Sequence, residues 1–346
     1  MTKFIGVGVW MLAAVSAWAQ DSGRREILGG MDLAAPGPGE PSGEPLPTRL
    51  ALSDLDPESQ DPQKTRVVTV TDQDRPLDDQ PVGPYHKPFW TSERASPATR
   101  IYIQVDPGEV EFEQWVDIRD RQWEGHGQPR TTAVRMSEEF EFGLGGRFQL
   151  DLYMNTIMMR DGANSTLAIR NWSGEIRYAL ADWGVIPANP TLYLEYILWN
   201  NEPAAGGDGA TSSIEGKLLL GDDIGEYWHW GSNMFLEHTT NGSVLETGVT
   251  LSVFRTIIDQ VLSGGFAAQY VYESDANPGG VHVRFRELFV GPTLQLRFAP
   301  RDVEEEVNGV KVKKSRPRAH LDLEPLIGVS HEADAARIQI VFGWDF

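Results

Sequence analysis

The sequence predicts an all-β fold: an antiparallel transmembrane β-barrel of about 12 strands with a disordered N-terminal extension. Three observations predict it. Apolar and polar residues alternate with period 2 from residue 109 almost to residue 346. The alternating segments are joined by two classes of connection, mostly short on one side and longer on the other. The first residues have the layout of an export signal.

Residues 1–19 read as a signal peptide, with one early charge at Lys3, an uncharged apolar run from Phe4 and a small-x-small site at Ala17-Trp18-Ala19. A membrane anchor needs ~20 apolar residues, more than this run supplies. The chain has no cysteine, so neither disulfides nor a lipidated cysteine is expected. Residues 20–65 are rich in Pro, Gly, Asp and Glu without a sustained period and read as a disordered acidic tether. Residues 66–108 hold two short β-like runs, RVVTVT and RIYIQV, among prolines; they read as a short periplasmic or plug segment.

Residues 109–346 read as the barrel. In EVEFEQWVDIRDRQ, Val110, Phe112, Gln114, Val116 and Ile118 alternate with Glu109, Glu111, Glu113, Trp115, Asp117 and Arg119, and RFQLDLYMNTIMM repeats the pattern. Helical spacing would mix the two sets. The same test gives strands near 109–121, 130–142, 147–159, 166–180, 191–199, 212–220, 226–238, 243–255, 261–273, 281–299, 318–330 and 334–346. In the tenth the apolar set moves from odd (Val281, Val283, Phe285) to even positions (Leu294, Leu296, Phe298), which predicts a bulge at Gly291-Pro292. The long connection DVEEEVNGVKVKKSRPR suggests a small hairpin around Asn308-Gly309. Trp172, Tyr178, Trp183, Tyr196, Trp199, Trp228, Trp230, Tyr270, Tyr272 and Trp344 are expected in interfacial girdles. Glu138 falls on the outward set, and a bulge or interfacial depth would absorb it.

The inward set supplies the candidate lumen-lining residues: Glu139, Glu141, Asp151, Glu175, Arg177, Glu195, Lys217, His229, Glu237, Arg284, Arg286, Arg297, His320, Asp322, Glu324 and Arg337. Acids dominate the first nine strands and Arg gathers in the last three, so two readings stand: a transverse field across a pore, or cross-strand ion pairs that hold register.

The final stretch alternates Ile340, Phe342, Trp344 and Phe346 against Val341, Gly343 and Asp345. A last strand of this kind resembles the signal that outer-membrane barrels present to their assembly machinery. The stretches EEFEFGLGGRFQLDLYMN, GEIRYALADW, ELFVGPTLQLRFAP and HLDLEPLIGVSHEADAARIQIVFGWDF together resemble the outer-membrane transporters that include the meta-pathway phenol degradation (MetA-like) proteins. That resemblance implies a location in the outer membrane of a Gram-negative-type bacterium. It also implies contact with outer-membrane lipid, the barrel-assembly machinery and periplasmic chaperones. It brings no catalytic or ligand residue.

With 50 acidic against 30 basic residues and a net charge of −20, nucleic-acid binding is not expected. GxSxG and GxxxxGK[ST] are absent, His229 and Ser232 differ in parity, and the His and acid spacing forms no metal motif, so no enzyme, cofactor or metal is expected. The expectation is a passive channel or transporter for small solutes. The alternative is a structural or interaction barrel with a plugged lumen, working through its outer loops or N-terminal extension.

Overall fold

The structure, a computed structural model, describes residues 76–81, 83–121, 131–161, 164–200, 212–240, 244–276, 282–307 and 310–346. The export signal, the tether and RVVTVT lie outside the described residues. Twelve strands close an antiparallel barrel: β1 Val110–Arg121, β2 Thr131–Gly145, β3 Phe148–Asp161, β4 Asn164–Ala179, β5 Thr191–Trp199, β6 Ser212–Asp223, β7 Trp228–Thr239, β8 Val244–Ile258, β9 Leu262–Ala276, β10 His282–Phe298, β13 Ala319–Gly328 and β14 Ala336–Asp345. β14 pairs back onto β1 from Glu111 opposite Asp345 to Asp120 opposite Ala336, so the sheet has no free edge. The connection between β10 and β13 folds into a separate hairpin, β11 Arg301–Val307 with β12 Val310–Arg316.

Alternation sets the wall inside out relative to a soluble protein. Leu152, Leu192, Leu194, Leu236 and Leu251 are exposed on the outer face. Between them Glu139, Glu141, Asp151, Glu175 and Arg177 are buried inside. Exposed apolar side chains over a buried ionic interior are what a barrel in lipid requires. The turns after β2, β4, β6 and β8 and the start of β1 share one end, here the short-turn end; the connections after β1, β3, β5, β7 and β9 share the other.

Several expectations change. β10 does not switch faces: its pairing with β9 runs unshifted from His282 opposite Ala276 to Leu296 opposite Leu262. Phe285 and Glu287 line the interior cavity, while Arg284 and Arg286 stand exposed, so these two arginines are not lumen residues. Arg284, Phe285 and Arg286 lie near the open far end of β10, where an outward arginine can reach water and polarity no longer reports the side of the wall. Glu138 does face outward, but without a bulge, directly opposite Gln114 of β1. Trp183 leaves the girdle to pack on Trp90 and Tyr102, and Trp199 donates to Ser213 under Arg170. RIYIQV forms no strand, although Ile101, Tyr102 and Ile103 are almost wholly buried.

Candidate functional site

The described part of the N-terminal segment, residues 76–81 and 83–108, fills the barrel interior toward the short-turn end. Short 3-10 turns at Leu77–Asp79, Pro84–His86 and Phe89–Ser92 make it compact. Its apolar side chains, Trp90, Ala95, Ile101, Tyr102 and Ile103, form the core cluster with Ala179 and Phe254 of the wall. Space for them comes from Gly221 of β6 and Gly231 of β7, which face each other across the strands. A Cβ on Gly221 would lie 2.4 Å from Ile101, and one on Gly231 2.7 Å from Ala95.

Polar anchoring is as dense. Arg94 donates to Glu113, to Glu139 at 2.8 Å and to Glu141 at 3.2 Å, and its guanidinium lies 4.0 Å over Trp115. Arg100 reaches Glu139 at 2.8 Å and Asp151 at 3.4 Å. Burial disfavours both guanidinium charges, but the surrounding carboxylates outweigh it and hold both above the ordinary arginine range. Arg177 of β4 joins Asp151, Glu175 and Gln104 of the plug. Arg297 binds Glu93 at 2.8 Å and Asp78 at 3.0 Å.

Of the carboxylates under these arginines, Glu113 and Glu139 face each other across β1 and β2, whereas Glu141, Asp151 and Glu175 belong to a longer row that the strand register builds. Glu111 pairs with Glu141, Glu141 with Asp151, Asp151 with Glu175 and Glu175 with Glu195. Glu195 then pairs with Glu215, Glu215 with Glu237, Glu237 with Glu246 and Glu246 with Glu273. Nine acids on nine consecutive strands thus stand opposite one another, successive members about 5 Å apart by sheet geometry. Because barrel strands tilt, the row climbs. Glu111 is near the start of β1 at the short-turn end and Glu273 near the far end of β9.

Above the plug lies a cavity of ≈ 570 Å³. Glu195, Glu215, Glu246 and Glu273 line it with Arg170 and Lys217 among them, and Arg119, Arg135 and Arg337 from β1, β2 and β14 line it with Glu287, Glu332 and Asp334. These three arginines stand on β14, β1 and β2 rather than all on the last three strands of the barrel. Local ion pairs coexist with them: Lys217 binds Glu215 and Arg337 binds Asp117. Glu237 accepts from Ser213, while Glu324, beside Gln269, lies buried on the inner face of β13 with His320 and Asp322.

Two groups that include a histidine have the makeup of a metal site: His320 with Glu111 and Glu113, and His229 with Asp79 and Asp223. In the first, the imidazole nitrogens lie 3.4 Å from each glutamate, and Glu113 is already committed to Arg94. Sequence reasoning missed Arg94 and Arg100, since no periodicity ties an irregular segment to the wall it will meet; Trp115 falls on the inward set of β1 but was not singled out.

No family model matches the chain, and no curated protein does. Among solved structures, it is similar to an outer-membrane channel from Pseudomonas putida F1, with 12% identity and a TM-score of 0.48 over 71% of this chain and 98% of that one. A bacterial polysaccharide outer-membrane secretin gives 8% identity and 0.35 over 68% and 98%. The TodX monoaromatic hydrocarbon channel, as a deletion mutant, gives 10% and 0.31 over 69% and 91%. Likenesses of this extent carry no functional argument.

Proposed function

We propose that the chain is an outer-membrane channel for small solutes, with a preference for cations, held closed by residues 76–108. The observation that carries it is the seating of Arg94 on Glu141, and of Arg100 beside Asp151 and Glu175, at the lower end of a carboxylate row that continues into the open cavity. Like charges directly opposite one another destabilise a sheet. Nine in succession are a poor device for register and a good one for lining a cation path. The two guanidiniums occupy the steps that mobile cations would occupy, so the plug closes the barrel and neutralises it together. Outer-membrane residence follows from the apolar outer band, and Ile340, Phe342, Trp344 and Phe346 serve as the assembly signal in this reading. No step needs a catalyst or an energy source, and the resemblance to the meta-pathway group supports the class and leaves the solute open.

The competing reading is a permanently plugged barrel that works through its outer loops or N-terminal extension, and the dense anchoring of the plug favours it. Liposome swelling separates the two. The chain lacking residues 76–105 should admit small cationic solutes faster than anionic ones of equal size, and the full chain should admit neither at that rate. Equal, slow swelling by both chains would leave the plugged, structural barrel.

A further inference from the structure

At the short-turn end the plug meets the wall through a second polar cluster that the channel reading does not use. His229, near the start of β7, is fully buried, with its ring stacked on Trp90 at 4.6 Å. Its Nδ1 lies 3.0 Å from Oδ1 of Asp223, which also accepts from Nε1 of Trp90 at 2.7 Å. That network assigns the ring proton to Nδ1 and leaves the Nε2 lone pair facing the plug.

What Nε2 faces is the informative part. Thr256 Oγ1 is 3.3 Å away, but its one proton goes to Asp78 at 2.9 Å. Oδ1 of Asp79 is 3.5 Å away and has no hydrogen-bond partner among the described residues, although the side chain is nine-tenths buried. The other oxygen of Asp79 is taken by the Tyr227 amide. Three electron-pair donors therefore converge with no proton offered between them by the hydrogen bonds around them. A cavity of ≈ 320 Å³ lined by Asp79, Asp223, Gly225 and Glu226 adjoins the cluster. Among the described residues, no Lys or Arg lines it.

We infer that His229 Nε2 and Asp79 Oδ1 bind a divalent transition-metal cation of the zinc class, which clasps the plug to the barrel wall. Two metal bonds of ~2.0–2.1 Å at a tetrahedral angle place their ligand atoms about 3.4 Å apart, close to the 3.5 Å spacing of these two atoms. Asp223 orients the imidazole from behind, the carboxylate–histidine–metal relay that tunes such ligands. The Thr256 hydroxyl and water from the cavity complete the coordination.

The test is titration of the detergent-solubilised full chain, stripped with EDTA, with Zn²⁺ by calorimetry, and with Co²⁺ by its visible absorption. Wild type should bind one Zn²⁺ at this site and give a Co²⁺ spectrum showing nitrogen and oxygen ligation. Asp79→Asn should abolish that binding, and Asp223→Asn should weaken it about 10- to 100-fold by loosening the ring. Heat-modifiable gel migration confirms that each variant still folds as a barrel; Asp79→Asn, on the plug, is the variant on which the result rests. Absence of Zn²⁺ binding by wild type would overturn the site. Binding that Asp79→Asn leaves unchanged would overturn it equally.

Discussion

The guanidinium of Arg94, carried by the plug, donates to Glu139 of β2 at 2.8 Å, and both side chains are wholly buried. Removing one partner of a buried ion pair costs about 3–5 kcal/mol, because the other charge stays behind unpaired. Arg94 leaves three such partners, Glu113, Glu139 and Glu141. Arg94→Gln should therefore unseat the plug and raise conductance in planar bilayers without unfolding the barrel. The comparison is Arg147→Gln, which removes a partly exposed pair with Asp182 and should leave conductance unchanged. Equal conductance in the two variants would separate Arg94 from closure.

Steric support can be tested without touching a charge. Gly231→Val puts a branched side chain where Ala95, Thr99 and Ile101 already sit. Overpacking typically costs about 1–3 kcal/mol. Here it should fall on plug docking, read as faster proteolysis within residues 83–108 while the barrel stays heat-modifiable.

The carboxylate row makes a prediction of opposite sign. Glu246 faces Glu237 on one side and Glu273 on the other. Glu246→Gln relieves two like-charge oppositions, each worth about 0.2–1 kcal/mol, so the variant should be slightly more stable to urea than wild type. In the chain lacking the plug it should also lower cation preference. A clear loss of stability would mean that Glu246 is held by a positive partner.

Facing is tested on β5, where Leu194 is exposed between Tyr193 and Glu195, both inside. Leu194→Arg should cost ~2–4 kcal/mol in lipid if this position lies at mid-bilayer depth. Urea unfolding in vesicles reads it; a cost near zero would remove the outer band from the membrane.

Most of the barrel was legible because period-2 alternation is a property of each strand alone. All twelve segments reappear within a few residues of where Val110, Phe148 or Ala336 begin them. Failures occurred where a residue's polarity reports something other than its side of the wall. Phe285 looked outward because it is apolar, but it lies where inner and outer faces are both wet. Arg94 and Arg100 were not legible at all, since a plug's register is set by a wall that folds from sequence far downstream. The row from Glu111 to Glu273 lies between these cases. Each acid was visible as an inward residue, and only the pairing of β1 through β9 aligns them.

One recording tests the channel, the plug and the carboxylate row together: planar-bilayer current under a salt gradient, for the full chain and for the chain lacking residues 76–105. The account predicts a nearly silent full chain and, after deletion, stepwise conductance whose reversal potential has the sign of cation selectivity. Deletion that leaves the membrane closed would contradict the channel. Conductance without cation preference would contradict the role given to the row of carboxylates.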